Sequence, residues 1–132
     1  MQDQLKIALI QSDLVWENPS QNRKNFSDKI DTINKSNLDI IVLPEMFSTG
    51  FTMNAEVVAE TMNGETVTWM QEKALITKAA IIGSLIILEN NNYYNRLLFV
   101  EPSGAITTYD KRHTFTLAGE DKVFSSGNKK VI

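Results

Sequence analysis

Two short apolar runs with a helical pattern between them constrain the fold of this chain most strongly. Leu5–Gln11 and Leu38–Leu43 are rich in β-branched residues, which is typical of buried strands. Between them, Asn18-Pro19 is a helix-starting signal, and apolar residues follow at spacings of four and three: Phe26, Ile30 and Ile33. This pattern predicts a helix that ends near Asn37. A strand, a helix and a strand in this order predict a right-handed crossover between parallel strands, so the sheet opens as α/β.

The middle of the chain predicts an antiparallel meander. After a loop with one helical turn around Ala55–Glu60, apolar spacing predicts a helix over Glu65–Lys78. Three strands follow, at Ala80–Leu88, Tyr94–Glu101 and Ala105–Tyr109. An asparagine-rich turn joins the first two strands, and Pro102-Ser103-Gly104 makes a tight turn before the third. The predicted architecture is therefore mixed, with a parallel start and an antiparallel continuation.

The remaining residues have little periodicity. Asp110–Asn128 is polar and predicts a partly ordered loop with three apolar anchors, Phe115, Leu117 and Phe124. Lys129–Ile132 resembles the first half of one more strand. The sequence thus predicts that a loop with few fixed points follows the meander.

Composition narrows the class of protein and of partner. The 132 residues are 42% hydrophobic and 22% charged, which is typical of one soluble globular domain. A net charge of −3 argues against nucleic acid as a partner. No apolar run approaches the ~20 residues of a membrane span, and no signal pattern is present, so we expect a cytoplasmic protein. The chain has no cysteine, which excludes disulfides, thiolate metal sites and a thiol nucleophile within these residues.

Two charged residues lie where predicted strands end. Glu45 follows the second strand and Lys111 follows the fifth. A carboxylate and an ammonium at neighbouring strand ends can share a cleft, where they suit proton transfer and oxyanion stabilisation. The alternative is that each is a solvated charge at the end of a strand, and position alone leaves both interpretations open.

Longer motifs around these two residues resemble the carbon-nitrogen hydrolase (nitrilase) superfamily. The first motif is Leu43-Pro44-Glu45-Met46-Phe47-Ser48-Thr49-Gly50-Phe51, and the second is Tyr109-Asp110-Lys111-Arg112-His113. Three further stretches are most similar to its omega-amidase-like branch: Thr52-Met53-Asn54, Val100-Glu101-Pro102 and Ala118-Gly119-Glu120. The resemblance runs from Leu5 to Ile132. It implies the amino-terminal half of a four-layer αββα sandwich, with residues 1–132 forming part of a single domain.

The resemblance implies a role for four residues. Glu45 matches the general base, Lys111 the residue that stabilises the tetrahedral intermediate, and Glu120 a second glutamate that positions base and substrate. Phe51 matches a residue that lines the substrate pocket. A surface-loop position remains the alternative for Glu120, and an ordinary core position for Phe51. The family's nucleophile is a cysteine further along the chain than residue 132, so the expected Glu-Lys-Cys triad is incomplete here.

The function implied is hydrolysis of carbon-nitrogen bonds in small linear amides, with ammonia released from a dicarboxylic acid monoamide. The resemblance also implies a homodimer without a cofactor, and the 132 residues alone are expected to be inactive. One histidine, His113, without clustered carboxylates does not indicate a metal site, and we expect no catalytic role for it. Two other hypotheses remain open: a non-catalytic half-domain with a binding or subunit-contact role, and an unrelated α/β domain in which both motifs arise by chance.

Overall fold

The computed structural model describes residues 3–33 and 37–132. In chain order its elements are β1 (Ile7–Leu9), α1 (Pro19–Ile33), β2 (Ile40–Val42), α2 (Ala55–Val58), α3 (Glu65–Thr77), β3 (Ala80–Glu89), β4 (Asn92–Val100), β5 (Ile106–Asp110) and α4 (Glu120–Val123). A short 3₁₀ helix, Thr116–Ala118, precedes α4. Among these described residues, no helix is long and apolar enough to cross a membrane.

The five strands form one open sheet in the order β1-β2-β3-β4-β5. Strands β1, β2 and β3 are parallel, whereas β3, β4 and β5 are antiparallel, which confirms the predicted parallel pairing and the meander. Asn90 and Asn91 both have positive φ, as the tight turn between β3 and β4 requires. The Gly104 N–H donates to the Glu101 carbonyl at 2.8 Å and closes the turn before β5.

Helices α1 and α3 cover one face of the sheet. Their apolar side chains form the main core with alternate residues of β2, β3 and β4: Phe26, Ile30, Val67, Met70 and Ala74 against Ile41, Ile81, Leu85, Ile87, Leu98 and Val100. Phe47 enters this core directly over Gly83, where an added Cβ would lie 2.7 Å from the Phe47 ring. The absence of a side chain at Gly83 therefore lets the segment after β2 pack against β3.

Part of the opposite face of the sheet is apolar and incompletely covered, and we call this part the open face. In the strand register, Leu9 pairs with Val42, Val42 with Ile82, and Ile82 with Phe99. Leu9 is 78% exposed, although the sequence predicted a buried strand at Leu5–Gln11. The predicted strand is confirmed at Ile7–Leu9, but its predicted burial is wrong because β1 lies at the sheet edge and the two large helices pack on the other face.

Two other local expectations have different outcomes. Helix α1 extends to Ile33, and residues 34–36 lie outside the described residues. The predicted end of the helix near Asn37 is therefore tested only at Asn37 itself, whose φ of 50° is left-handed and not α-helical. The strand expected at Lys129–Ile132 is absent, since these residues make no backbone hydrogen bond to a strand of the described chain. A strand forms only where a neighbouring strand makes these hydrogen bonds, and an apolar pattern over four residues does not show whether such a neighbour is present.

An ion-pair cluster at the outer end of the meander gives the fold a pH dependence. The buried guanidinium of Arg96 donates to both carboxylate oxygens of Glu89, at 3.0 and 3.1 Å, and to Asp110 at 2.6 and 3.0 Å. The hydrogen bonds and positive charge of Arg96 lower the pKa of Glu89 in the folded protein. This pair therefore stabilises the fold above the unfolded-state pKa of Glu89, and the contribution is lost as pH falls through the lower folded-state pKa.

Glu89→Gln is expected to reduce the free energy of unfolding at about pH 7 by less than about 1 kcal/mol, since half of the Glu89 side chain is exposed to solvent. Urea unfolding at about pH 7 and at about pH 3 measures the effect, and the difference between the two proteins should be smaller at the lower pH. An equal difference at both values of pH would show that the Glu89 charge is not responsible.

Candidate active site

Three local features hold the backbone around Glu45 in place. Pro44 ends β2, and the next residues form a turn that the Gly50 N–H closes on the Met46 carbonyl at 2.8 Å. Met46 is fully buried and has a φ of +48°, and its N–H donates to the hydroxyl of Ser84 in β3 at 2.8 Å. Such a backbone conformation is unfavourable for a residue with a side chain, so burial and this hydrogen bond must maintain it. The result is that Met46 points into a second, smaller apolar cluster, whereas Glu45 stays half-exposed. The buried members of this smaller cluster are Met46, Ala55, Val58, Ile86 and Phe124.

Lys111 is held through its backbone directly after β5. Its N–H donates to the carbonyl of Asn95 in β4 at 2.9 Å, and its own carbonyl accepts from the Gly127 N–H at 3.1 Å. A Cβ added at Gly127 would collide with the carbonyl oxygen of Asp110, so only glycine fits there. The carboxyl-terminal segment thus fixes Lys111 through contacts that need no side chain.

The structure brings the three predicted catalytic residues into one cluster. Lys111 Nζ donates to Glu45 Oε1 at 2.8 Å and to Glu120 Oε2 at 3.0 Å. The Glu120 side chain is completely buried, and its Oε2 also accepts from the Phe115 N–H at 3.0 Å. The surface-loop alternative for Glu120 is therefore wrong. Helix α4 begins at Glu120 and, with the buried Phe124, gives more order to this loop than the sequence indicated.

Among the described residues, the ammonium of Lys111 is the only cation in this cluster of two carboxylates. Partial burial acts to lower the pKa of Lys111, but the hydrogen bonds to Glu45 and Glu120, and their negative charges, outweigh it. The net result is a raised pKa, so Lys111 remains a cation throughout the neutral range. A fixed positive charge therefore stands beside a carboxylate that reaches solvent.

Sequence reasoning missed one member of the cluster, Asn95. Its Nδ2 donates to Glu45 Oε1 at 2.8 Å and to Glu120 Oε1 at 3.3 Å, and its side chain is buried in β4. The sequence does carry one signal for Asn95. In the alternation of β4 it lies on the same face as the apolar residues Leu97 and Phe99, where a polar side chain is unexpected. Its carboxylate partners lie 50 and 25 residues away, so this signal does not identify them.

A cleft with aromatic walls opens beside the cluster. The Phe51 ring lies 5.2 Å from Lys111 Nζ and 6.3 Å from the Phe115 ring. His113 also lines this cleft, at its exposed side. Phe51 is half-buried and packs partly against the small core cluster around Met46, so the structure places it between the core and the cleft. Leu117, in contrast, is 89% exposed and does not anchor its loop as predicted.

Comparison with known proteins assigns the family. Residues 6–132 match the model of the family described as Carbon-nitrogen hydrolase. The chain belongs to the carbon-nitrogen hydrolase family.

Individual relatives agree with this family. The chain is similar to Omega-amidase YafV of Escherichia coli (strain K12), at 40% identity over 128 residues, which are 97% of this chain and 49% of the relative. It is 29% identical to 2-oxoglutaramate amidase of Bacillus subtilis (strain 168), covering 93% of this chain and 48% of that protein. This carbon-nitrogen hydrolase chain thus spans about half the length of these curated relatives.

A solved structure confirms the fold. XC1258 of Xanthomonas campestris, described as a CN-hydrolase superfamily protein with an arsenic adduct in the active site, superposes with a TM-score of 0.92 at 35% identity. The match covers 96% of this chain and 48% of XC1258. The predicted resemblance to the nitrilase superfamily is therefore confirmed, and the motifs around Glu45 and Lys111 do not arise by chance in an unrelated domain.

The cluster of this carbon-nitrogen hydrolase chain has two chemical capacities. Glu45 Oε1 is occupied by Lys111 and Asn95, whereas Oε2 accepts no hydrogen bond from the described residues and can take a proton. Lys111 Nζ donates two hydrogen bonds within the cluster, which leaves its third N–H for an oxygen of a ligand. Glu45 and Lys111 also line the same cleft, so a proton acceptor and a hydrogen-bond donor for an oxyanion lie side by side.

Proposed function

We propose that this chain supplies the general base, the oxyanion-stabilising lysine and the positioning glutamate of a cysteine-dependent amidase. The single observation that carries the proposal is the sharing of the Lys111 ammonium between Glu45 and the buried Glu120. The substrate class is a small linear dicarboxylic acid monoamide, supported by the similarity to an omega-amidase and to a 2-oxoglutaramate amidase.

The proposed reaction assigns one role to each residue. Glu45 accepts the thiol proton of the nucleophile, and the thiolate attacks the amide carbon while Lys111 stabilises the oxyanion. The carbon-nitrogen bond breaks, the proton passes from Glu45 to the leaving nitrogen, and ammonia departs from a thioester. Glu45 then takes a proton from water, whose oxygen attacks the thioester, and that proton returns to the sulfur as the dicarboxylic acid leaves.

The nucleophile in this proposal comes from outside residues 1–132, which form the amino-terminal part of a single domain. Three observations support this assignment: the chain has no cysteine, it spans about half of its relatives, and its open face is apolar. A cavity of about 240 Å³ lies on that face beside Glu45 and Asn95. The remainder of the domain would cover the open face and bring the cysteine to the cluster, and the 132 residues alone would be inactive.

Ammonia release by the full-length protein, meaning the natural chain that contains residues 1–132, tests the proposal. We expect hydrolysis of succinamate and 2-oxoglutaramate, and weaker hydrolysis of butyramide, which has the chain length of succinamate and lacks its distal carboxylate. The isolated 132 residues serve as the control and should release none. Binding of these amides without any hydrolysis would instead favour a non-catalytic half-domain.

The proposal also includes a cytoplasmic homodimer. Light scattering by the full-length protein would measure its mass in solution and so test the dimer.

A further inference from the structure

Asn95 contacts every member of the Glu45-Lys111-Glu120 cluster. Its side-chain amide uses both N–H groups, one on Glu45 Oε1 at 2.8 Å and one on Glu120 Oε1 at 3.3 Å. Its backbone carbonyl accepts from the Lys111 N–H at 2.9 Å. Since the side chain is 3% exposed and belongs to the long strand β4, these contacts start from a rigid position.

The charge of the cluster explains why an amide suits this position. Two carboxylates share one ammonium, so the two glutamates repel each other even when Lys111 is in place. A neutral donor with two N–H groups bridges both carboxylates without adding charge. A second cation here would bind the Glu45 carboxylate more strongly and make it a poorer proton acceptor. An aspartate would add a third negative charge and remove both donors.

The two glutamates depend on Asn95 to different degrees. Glu120 is buried and keeps hydrogen bonds from Lys111 and from the Phe115 N–H when Asn95 is removed. Glu45 is half-exposed, and Lys111 would be its remaining partner among the described residues. Loss of the Asn95 amide should therefore release Glu45 and leave Glu120 in place.

We propose that Asn95 is a positioning residue that holds Glu45 at a fixed distance and orientation relative to Lys111 and Glu120. Its catalytic consequence rests on the proposed function, because the orientation of a base affects rate only when that base removes a proton in the reaction. The geometric part of the proposal does not depend on the reaction.

The test uses Asn95→Leu, which keeps a similar volume and removes both donors, in the full-length protein. We expect kcat for succinamate to fall at least about 30-fold while KM changes less than about threefold. Asn95→Asp should be no faster than Asn95→Leu because it adds repulsion beside Glu45. The matched control is Leu98→Ala, which removes packing on the other face of β4 and should keep kcat within about threefold at a temperature where the protein stays folded.

Several results would overturn the proposal. They are an Asn95→Leu protein with nearly unchanged kcat, an Asn95→Asp protein with a higher kcat than Asn95→Leu, and a loss of kcat in Leu98→Ala as large as in Asn95→Leu.

A crystal structure of Asn95→Leu, or of Asn95→Ala if the leucine variant does not fold, is the second measurement. We expect Glu45 to leave Lys111 while Glu120 keeps its bond to Phe115. If Glu45 keeps its position in that crystal structure, the proposal is contradicted, whether or not the wild-type protein hydrolyses an amide. Absence of hydrolysis by the wild-type protein would by itself refute only the proposed function.

Discussion

Glu45→Gln should lower kcat for amide hydrolysis by the full-length protein at least about 1,000-fold, while the fold is retained. Glutamine has the shape of glutamate and can still accept a hydrogen bond from Lys111, but it cannot take the thiol proton or activate water. The side chain is 49% exposed, so removal of its charge leaves no buried group unpaired. The measurement is steady-state ammonia release, with circular dichroism and thermal unfolding as checks of the fold.

Glu56→Gln is the matched control for this prediction. Glu56 is an exposed glutamate in the first turn of α2 and takes no part in the hydrogen bonds of the cluster, so its substitution should leave kcat and KM unchanged. Turnover by Glu45→Gln within about tenfold of wild type would remove Glu45 from the role of base.

Lys111→Met should lose at least about 100-fold in kcat and much less in KM. Methionine retains most of the apolar length of lysine, but it places no positive charge over the Phe51 ring or beside the developing oxyanion. It also leaves the buried Glu120 carboxylate without its cation, so we expect the free energy of unfolding to fall by about 3 kcal/mol. Lys111→Met therefore lowers both kcat and the free energy of unfolding, and the two effects must be measured separately.

A double variant separates the two effects. Lys111→Met combined with Glu120→Gln removes the unpaired buried charge, so stability should recover most of the loss while kcat stays low. Lys122→Met, at an exposed lysine of α4, is the control for the loss of a positive charge and should behave as wild type. If kcat/KM fell only because KM rose, Lys111 would be a binding residue and would have no special role at the oxyanion.

Local signals in the sequence were sufficient for much of the fold. The helix-starting Asn18-Pro19, the apolar run that Pro44 ends and the asparagine turn after β3 each depend on residues close in sequence. Position alone left the pairing of Glu45 and Lys111 open, and the structure shows why: β3 and β4 lie between the two strands that these residues follow. The motifs around both residues then indicated the family, which the comparisons confirm.

Features that depend on distant packing could not be predicted in this way. The burial of Glu120 results from Lys111, Asn95 and the Phe115 backbone enclosing it, and no polar loop sequence shows that enclosure. The exposure of Leu9 depends on which face the helices cover, whereas its apolar run alone indicated burial. Asn95 was missed for the same reason, since a polar residue in a strand is informative only when its cross-sheet neighbours are known.

Mass spectrometry of the full-length protein, quenched during turnover of succinamate, tests the central proposal most directly. We expect an intact mass well above the 14.9 kDa of these residues, and a fraction of the protein heavier by one acyl group. Peptide mapping should place that acyl group on a cysteine outside residues 1–132, and it should be absent from Glu45→Gln. Hydrolysis by a protein of 14.9 kDa, or an acyl group attached within residues 1–132, would contradict the assignment of an external cysteine.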